Sequence, residues 1–445
     1  MTTLQKKPAF LLMAKAAPLT SHPQFLLGLR ARGLAPLLVT ESLPPGVDAS
    51  AEELARHNSA LEGIQEVAVF TGSQQLAIQH QVATWANDYD IRGTLCLGEI
   101  FVEAMGMAAD MLGLPHPGLR ATKVCRNKLL QRLYLRDWSP RCQVIAPAHR
   151  ASFVADFSDG PAILKPTGRF ASSGVQEIAD ASELAERLTE YEADEVLLLE
   201  QKVVGREVSV ESLIQDGKVV FSGITEKATN ESEGRFFVEM AHTFPCGNLS
   251  PQELTAIRAT NARVLDRLSF ENGIAHAEYR VTADGAVYLM EVACRAPGDG
   301  LLALYQLATL RSLEVELVKL ALGDPVTYPD PVRCARQVYM RHVPGRLIDV
   351  QVARAVDVTP HWVPDQGRWP AIEVGSAGDP ARVRHLMVLK PRGTQLSEVR
   401  DSFDRVVTFL IDGRTTDELD RLEQHVRDSV SIVTSSASRD QSPQP

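Results

Sequence analysis

The sequence predicts a multidomain chain in which an α/β unit built on a parallel sheet is followed by α+β units. Three observations carry this expectation. The 445 residues exceed what a single hydrophobic core usually organises. Up to about residue 120, short apolar runs alternate with helical stretches, the order of a parallel sheet with crossover helices. Beyond that point the texture changes to strands and tight hairpins with a few helices.

In the first unit, Phe10 to Met13, Pro36 to Val39, Val67 to Phe70 and Thr94 to Leu97 read as strands. Helices are expected at Gln24 to Arg32 and at Val102 to Leu112, the latter stopped near Gly113. The first strand runs into Ala-Lys-Ala-Ala-Pro-Leu-Thr and not into G-x-G-x-x-G. The turn that lets a backbone approach a pyrophosphate is therefore missing, and a nucleotide site must lie elsewhere. Further on, a helix is expected from Leu301 to Leu322. A β-rich stretch follows Asp324-Pro325, and a helix is expected around Ser397 to Phe409. The last eleven residues are polar and Pro-containing, the composition of a disordered tail.

The formal charge of −10 argues against nucleic acid, because neutralising phosphates needs a basic surface. No run of Lys and Arg appears, and no apolar stretch is long enough to span a bilayer. The N-terminal apolar run is interrupted by Lys15 and lacks a clean cleavage site, so it reads as a strand and not a signal peptide. These readings place the protein in the cytoplasm. Six cysteines without CxxC spacing are expected as free, mostly buried thiols.

The most informative segment runs from Ile274 to Gly300. Asp284-Gly285 between apolar runs signals a two-residue type I′ hairpin. That turn sets Ala283 against Ala286, Val281 against Tyr288 and Glu278 against Glu291. Alternation then puts His276, Glu278 and Arg280 on one face with Leu289, Glu291, Ala293 and Arg295. Opposed carboxylates lie with Cβ atoms roughly 5 Å apart and repel. A cation reverses the sign, and Mg²⁺ suits a site of one or two carboxylates plus phosphates. The same pattern also fits a solvated hairpin face with two tolerated glutamates.

Upstream, Pro161 to Val175 is a strand that delivers Lys165 to a loop of small residues. Gly168, Ser172, Ser173 and Gly174 permit close backbone approach and offer donors to phosphate oxygens. The lysine precedes the loop, so this is not a Walker A motif, and an ordinary turn has a similar composition. The run Val196 to Leu199 reads as a buried strand emerging at Glu200, with an alternating strand resuming at Glu207. Asp216-Gly217 closes another hairpin. A hinge at Glu200, Gln201 and Val203 could read an adenine edge, and Glu207 could accept from ribose hydroxyls; an ordinary strand edge is the alternative.

The order of these pieces resembles the ATP-grasp superfamily. Lys128 (in Asn127-Lys128-Leu-Leu-Gln-Arg132), Lys165, the glycine loop, the hinge, Glu207 and the pair Glu278 and Glu291 follow one another over roughly residues 95 to 325. The resemblance implies ATP held between two α+β lobes, with the lysines on its phosphates, the hinge at adenine and the acid pair on Mg²⁺, for which Mn²⁺ is an acceptable substitute. It divides the chain into a Rossmann-like unit (1–120), a small lobe (121–200), a large lobe (201–325), an α+β C-terminal domain (326–434) and a tail (435–445).

Within the superfamily, three segments look like L-amino acid ligases of the bacilysin-synthetase type. They are Leu97-Gly-Glu99-Ile-Phe-Val102 with Leu112-Gly-Leu-Pro115, the E-x-x-H stretch of Glu239 and His242, and Glu291-Val-Ala-Cys-Arg295. Ala293 replaces the Asn that most ATP-grasp ligases carry there, which removes an amide metal ligand. Leu310-Arg311-Ser312 departs from a Gly-Ile/Val-Asp of many relatives. The resemblance implies substrate contacts from Glu99, Glu239, His242, His276 and Arg295, and catalytic roles for Lys165, Arg295 and His242. It implies attack of a carboxylate on the γ-phosphorus, then of an amine on the acylphosphate, with the segments Gly168 to Gly174 and Thr229 to Arg235 as lids. Arg169 and Arg235 are further candidate contacts. A ligase using a non-amino-acid carboxylate or amine, and an ATP-binding regulator without turnover, are the alternatives. Small molecules are the expected partners, with no nucleic acid or membrane, and a homodimer remains open.

Overall fold

The computed structural model describes residues 6–71, 73–157, 160–234 and 236–435. In the N-terminal unit, β1 (Lys7–Met13), β2 (Ala35–Thr40), β3 (Glu66–Val69) and β4 (Tyr89–Cys96) form a parallel sheet of order β3-β2-β1-β4. Every residue of β2 and the Ala9–Met13 part of β1 is buried, because helices cover both faces. The helix Val102–Leu112 ends at Gly113, whose φ of +65° is the left-handed conformation glycine adopts without steric cost.

The second unit is an antiparallel sheet of order β5-β8-β6-β7, made from β5 (Cys142–Ile145), β6 (Ala162–Pro166), β7 (Gln176–Ile178) and β8 (Leu197–Gln201). Its inner face packs Ile145, Leu164, Ile178, Leu197 and Leu199 against Leu184 and Leu188. The short helix Lys128–Tyr134 leads into it, started by the Asn127 side chain accepting from the Leu130 N–H at 3.1 Å.

The large sheet begins with β9 (Arg206–Gln215), β10 (Lys218–Thr229), β11 (Glu239–Phe244), β12 (Gly273–Val281) and β13 (Val287–Ala293). The C-terminal region adds β14 (Cys334–Tyr339), β15 (Gly345–Val352), β16 (Pro360–Trp362), β17 (Arg382–Val388), β18 (Gln395–Leu396), β19 (Val407–Gly413) and β20 (Val430–Ser435). Nine strands run continuously in the order β13-β12-β9-β10-β11-β14-β19-β17-β16, and β18-β15-β20 form a separate small sheet.

The turn between β9 and β10 is as expected: Asp216 and Gly217 both have positive φ, 51° and 71°, and Gln215 pairs with Lys218. The turn between β12 and β13 is not. Gly285 N–H donates to the Thr282 carbonyl at 2.9 Å, and Thr282 N–H to Ala286 at 3.0 Å. Only Gly285 is left-handed (φ +84°), so this is a three-residue loop with a glycine bulge, and Val281 pairs with Val287 instead of Tyr288. A second irregularity between Tyr279 and Glu278 skips Met290 and restores Glu278 opposite Glu291. Leu289 consequently pairs with Tyr279 and is buried with it, away from the acid face.

Two helix expectations need correction. The stretch Leu301 to Leu322 is two helices, Leu301–Thr309 and Leu313–Ala321, separated where Leu310 takes φ +61°. Residues 397–409 are not a helix: 397–401 are irregular, Ser402–Asp404 form one tight turn, and β19 starts at Val407. Val407 to Ile411 are buried throughout in the middle of the sheet, where a β-branched and aromatic run packs better as a strand. The helix of this region is Thr416–Ser429. Of the expected tail, Ser435 belongs to β20 and 436–445 lie outside the described residues. All six cysteines are free, three of them buried. Among the described residues no helix is long and apolar enough to cross a membrane.

Candidate active site

Glu278 and Glu291 face each other across β12 and β13, yet each carboxylate has its own cation. Glu278 Oε1 accepts from Lys227 Nζ at 2.6 Å and lies 3.2 Å from His276 Nε2. Glu291 Oε1 accepts from Lys128 Nζ at 2.9 Å. Burial favours the neutral Glu278 carboxyl, but the Lys227 ammonium and His276 outweigh it and hold the group well below the usual carboxylate range. Lys227 lies in β10, 2.9 Å from Glu239 and 3.5 Å from Glu207 as well, inside a triangle of carboxylates whose oxygens lie within 4.8 Å of one another. Arg280 on Glu207 and His276 on Glu278 add further positive charge to this cluster. Glu278 and Glu291 offer hard oxygen donors of the kind that hold Mg²⁺, while the carboxylates whose oxygens converge most closely are Glu207, Glu239 and Glu278.

His276 is held on both sides by acids, with Nδ1 2.7 Å from Glu211 Oε1 and Nε2 facing Glu278. Glu211 also accepts from the hydroxyls of Thr225 (2.9 Å) and Tyr305 (2.6 Å). Burial pushes the imidazole down, but the two carboxylates raise it to about 9. His276 is thus held as an imidazolium against Glu278. A raised folded-state value stabilises the protein fully below the unfolded histidine value of about 6.5 and loses that contribution as pH rises through about 9. Urea unfolding should show His276→Asn markedly less stable than wild type at pH 6 and nearly equal to it at pH 10. A difference independent of pH would contradict the imidazolium assignment.

Glu200 does not emerge from β8. It is buried between Arg132 Nε (2.6 Å) and Lys165 Nζ (2.7 Å). Arg132 comes from the helix after Asn127 and also donates to the Met290 carbonyl at 2.6 Å, tying the two lobes together. Glu200 therefore orients Lys165. Burial and the Arg132 charge lower the Lys165 ammonium to about 8 despite its bond to Glu200. Lys128, the other lysine, also donates to the Arg169 carbonyl at 2.8 Å.

At the hinge, the Gln201 N–H donates to the Arg141 carbonyl at 2.9 Å, and its exposed side chain accepts from Arg141 at 3.3 Å. The Val203 carbonyl accepts from Arg280 at 2.9 Å. Glu207 accepts from Arg280 Nε at 2.9 Å, and Arg280 Nη2 also reaches Glu231 at 2.8 Å. A ribose would have to share Glu207 with these cations.

The glycine loop is folded onto its neighbours. Ala171, Ser172 and Gly174 have φ of 59°, 58° and 72°. Ser172 Oγ donates to the Phe237 carbonyl at 3.1 Å, and the Ala171 carbonyl accepts from the Ser402 N–H at 3.2 Å. The Phe170 ring meets the Phe403 ring edge-on. Ser173 N–H donates to the Phe170 carbonyl at 3.3 Å, and the Gly168 carbonyl before that turn accepts from Arg126 Nη1 at 3.4 Å. Arg169 is held by Glu195 at 2.6 and 2.8 Å, a structural pairing. Arg235 lies outside the described residues.

Two ion pairs flank the acid floor. Arg295 Nε donates to Glu99, linking the end of β13 to the N-terminal unit, and its Nη1 donates to the Ala296 carbonyl at 2.8 Å. His242 Nε2 lies 2.9 Å from Asp299 Oδ2, and Asp299 is gripped by Arg405 at 2.9 and 2.6 Å. The Arg405 and His242 contacts overcome burial and hold the Asp299 carboxyl well below its ordinary range. His242 Nδ1 is buried and has no partner among the described residues. Glu239 accepts from Lys227 and lies 3.4 Å from Ser402 Oγ.

Sequence reasoning missed Lys227, Glu211, Asp299 and Arg405, and it named Arg280 and Arg132 without the carboxylates they hold. Alternation along β10 could have flagged Lys227, which lies directly opposite Glu207 on β9. Arg405 carried no local signal, being 106 residues from Asp299 in a segment that reads as helix.

Residues 158–302 match the family described as "ATP-grasp domain", a stretch that holds Lys165, the glycine loop, Glu278 and Glu291. Over its whole length the chain is similar in fold to an L-amino acid ligase from Bacillus licheniformis, with TM-score 0.73 and 18% identity over 97% of this chain and 100% of that one. It is also similar to N5-carboxyaminoimidazole ribonucleotide synthetase from Thermotoga maritima, with TM-score 0.63 and 14% identity, covering 96% and 100%. A third likeness is to the biotin carboxylase domain of Hydrogenobacter thermophilus 2-oxoglutarate carboxylase, solved with MgADP and bicarbonate, with TM-score 0.62 and 12% identity, covering 97% and 92%. At these identities the likeness is one of fold. No curated protein sequence matches the chain significantly.

Proposed function

We propose that the protein is an ATP-dependent carboxylate–amine ligase that joins an amino acid, or a similar carboxylate, to an amine and releases ADP and phosphate. The observation that carries this reading is the pairing of Glu278 with Glu291, with Lys128 on Glu291 and Lys165 held by Glu200 in the small antiparallel sheet. Mg²⁺ bound by the two acids would offset charge on the β- and γ-phosphate oxygens. Lys128 and Lys165 hold the phosphates in place, and Arg295 faces charge developing on the transferred group.

In the first step a carboxylate oxygen bonds to the γ-phosphorus as the bond to ADP breaks, giving an acylphosphate. In the second, an amine nitrogen bonds to the acyl carbon and phosphate leaves with the C–O bond's electrons. The attacking ammonium must first lose a proton. His242 is the candidate to take it: its Nε2 lies 2.9 Å from Asp299, and its Nδ1, buried in the free protein, has no partner among the described residues and would have to be uncovered as substrate binds. Asp299 fixes the tautomer and Arg405 fixes Asp299. The docked glycine loop and the Thr229 to Gly234 segment keep water from the acylphosphate.

The amino-acid assignment draws on the likeness to the Bacillus licheniformis ligase and on the ion pairs Arg295–Glu99 and His242–Asp299, with Arg405 joining Asp299 to the Glu239 carbonyl. The fold shared with a bicarbonate-bound biotin carboxylase domain supports a second reading, in which the carboxylate is not an amino acid. Phosphate release measured over a matrix of amino-acid pairs should rise only when both partners are present. Release with no pair, but with another carboxylate and an amine, would move the assignment to the second reading; ATP binding without any turnover would leave a regulator.

A further inference from the structure

A short piece of the C-terminal region reaches back over the candidate site. Ser402–Asp404 form one tight turn closed by a capping box. The Asp401 carboxylate accepts from the Phe403 N–H at 2.8 Å, and the Asp404 carboxylate from the Asp401 N–H at 3.3 Å. Arg405, the next residue, is buried. It donates to both oxygens of Asp299, to the Glu239 carbonyl at 3.1 Å and back to the Ser402 carbonyl at 3.0 Å. The turn is therefore stiff in itself, and it is anchored to the carboxylate that faces His242.

The same turn holds the glycine loop. The Ser402 N–H donates to the Ala171 carbonyl at 3.2 Å, and the Phe403 ring meets the Phe170 ring edge-on with centroids 6.4 Å apart. Phe403 is 59% exposed, so its ring adds little to a core and its partner is the loop. Just ahead of the turn, the Val399 carbonyl accepts from the Asn230 side chain at 3.1 Å, which brings in the Thr229 to Gly234 segment. One stiff strap thus touches both segments expected to cover the nucleotide, and also the ion pair beside His242.

We infer that Ser402 and Phe403 are positioning residues that hold the glycine loop shut over the nucleotide and the acylphosphate, from the same turn that sets Arg405 on Asp299. The inference rests on the ATP-dependent ligase reading, and its first test needs no turnover. Two variants cut the hold and leave the anchor in place. Ser402→Pro removes the N–H that binds Ala171. Proline is accepted at the first position of a helical turn, and Asp401 before it is already extended, at φ −144° and ψ 177°. Phe403→Ala removes a ring that stands mostly in solvent.

A hydrogen bond or an edge-on ring pair of this kind is worth a factor of about two to ten. Dissociation of the fluorescent nucleotide N-methylanthraniloyl-ADP, with Mg²⁺, from the full chain should therefore be about two- to tenfold faster in either variant, and faster still in the double variant. In turnover, phosphate and amide should appear together in the wild type, and phosphate should exceed amide in the variants, because an uncovered acylphosphate meets water. A loss of stability alone would lower both products together and leave their ratio unchanged. Phe403→Tyr keeps the ring and should restore both readouts. Unchanged dissociation in both variants, or a Phe403→Ala effect that Phe403→Tyr does not correct, overturns the inference. Faster dissociation with no amide from any pair would support the strap while removing the ligase reading, and a wild type that does not bind the nucleotide would overturn both.

Discussion

Glu291→Gln is expected to lower the rate of phosphate release by about 10³-fold or more, with little change in folding. Removing one electrostatic contributor to a transition state costs about 10²–10³ in rate, and a metal ligand costs at least as much. Glu291 is well placed for a clean experiment. Its side chain is 31% exposed, and among the described residues its carboxylate has one ion-pair partner, Lys128. Gln keeps the shape but halves the acid pair, so the Mg²⁺ concentration needed for any residual activity should rise. Thermal unfolding checks the fold, and a Mg²⁺ titration of phosphate release reads the site. Near-wild-type turnover would remove the metal assignment of both glutamates.

The second large effect concerns Lys165. The free protein carries this ammonium at about 8, lowered by burial and by Arg132, so it is charged below that pH and loses its proton above it. Phosphate binding needs the charged form. Wild-type kcat/KM for ATP, which reports the free enzyme, should therefore fall above pH 8, approaching tenfold per unit. Lys165→Arg keeps its charge throughout this range and should lack that falling limb, at a lower plateau because a guanidinium does not fit the Glu200 contact in the same way. Lys165→Ala should lose about 10²–10³-fold at every pH. A wild-type profile flat to pH 10 would exclude Lys165 from the phosphate site.

The acid pair was legible in the sequence for a reason only partly right. Asp284-Gly285 does make a turn, but a loop one residue longer than the type I′ hairpin, and that alone would put Glu278 out of register. The bulge at Met290 adds the compensating residue on the other strand. Nothing local announces that bulge, so two displacements cancelled and the correct pair emerged. The N-terminal parallel sheet was easier, because its strands are buried on both faces and read as unbroken apolar runs.

The charge network was the least legible part. Glu200 reads as the emerging end of a strand, yet Arg132 from a helix 68 residues earlier covers it. His276 and Glu239 stand in the expected cluster, but Glu211 reaches His276 because β9 lies beside β12, a neighbour set by the sheet order and not by chain order. Arg405 was hidden by misreading Val407 to Ile411, where short-range propensity cannot tell a helix from a strand buried on both faces.

The continuous sheet bears on how such a protein could be rebuilt. β11 carries His242 and pairs on its far side with β14, where Gln337 lies opposite His242 and also accepts the Gly300 N–H at 2.8 Å. The C-terminal region also supplies Arg405 to Asp299 and Ser402 to the glycine loop. The part of the chain that carries the candidate site therefore has no outer margin of its own at residue 325. Grafting a C-terminal region from a relative would change the histidine's strand partner, the anchor of its carboxylate and the dock of the loop in one stroke, so the unit available for exchange is the whole sheet and not the segment.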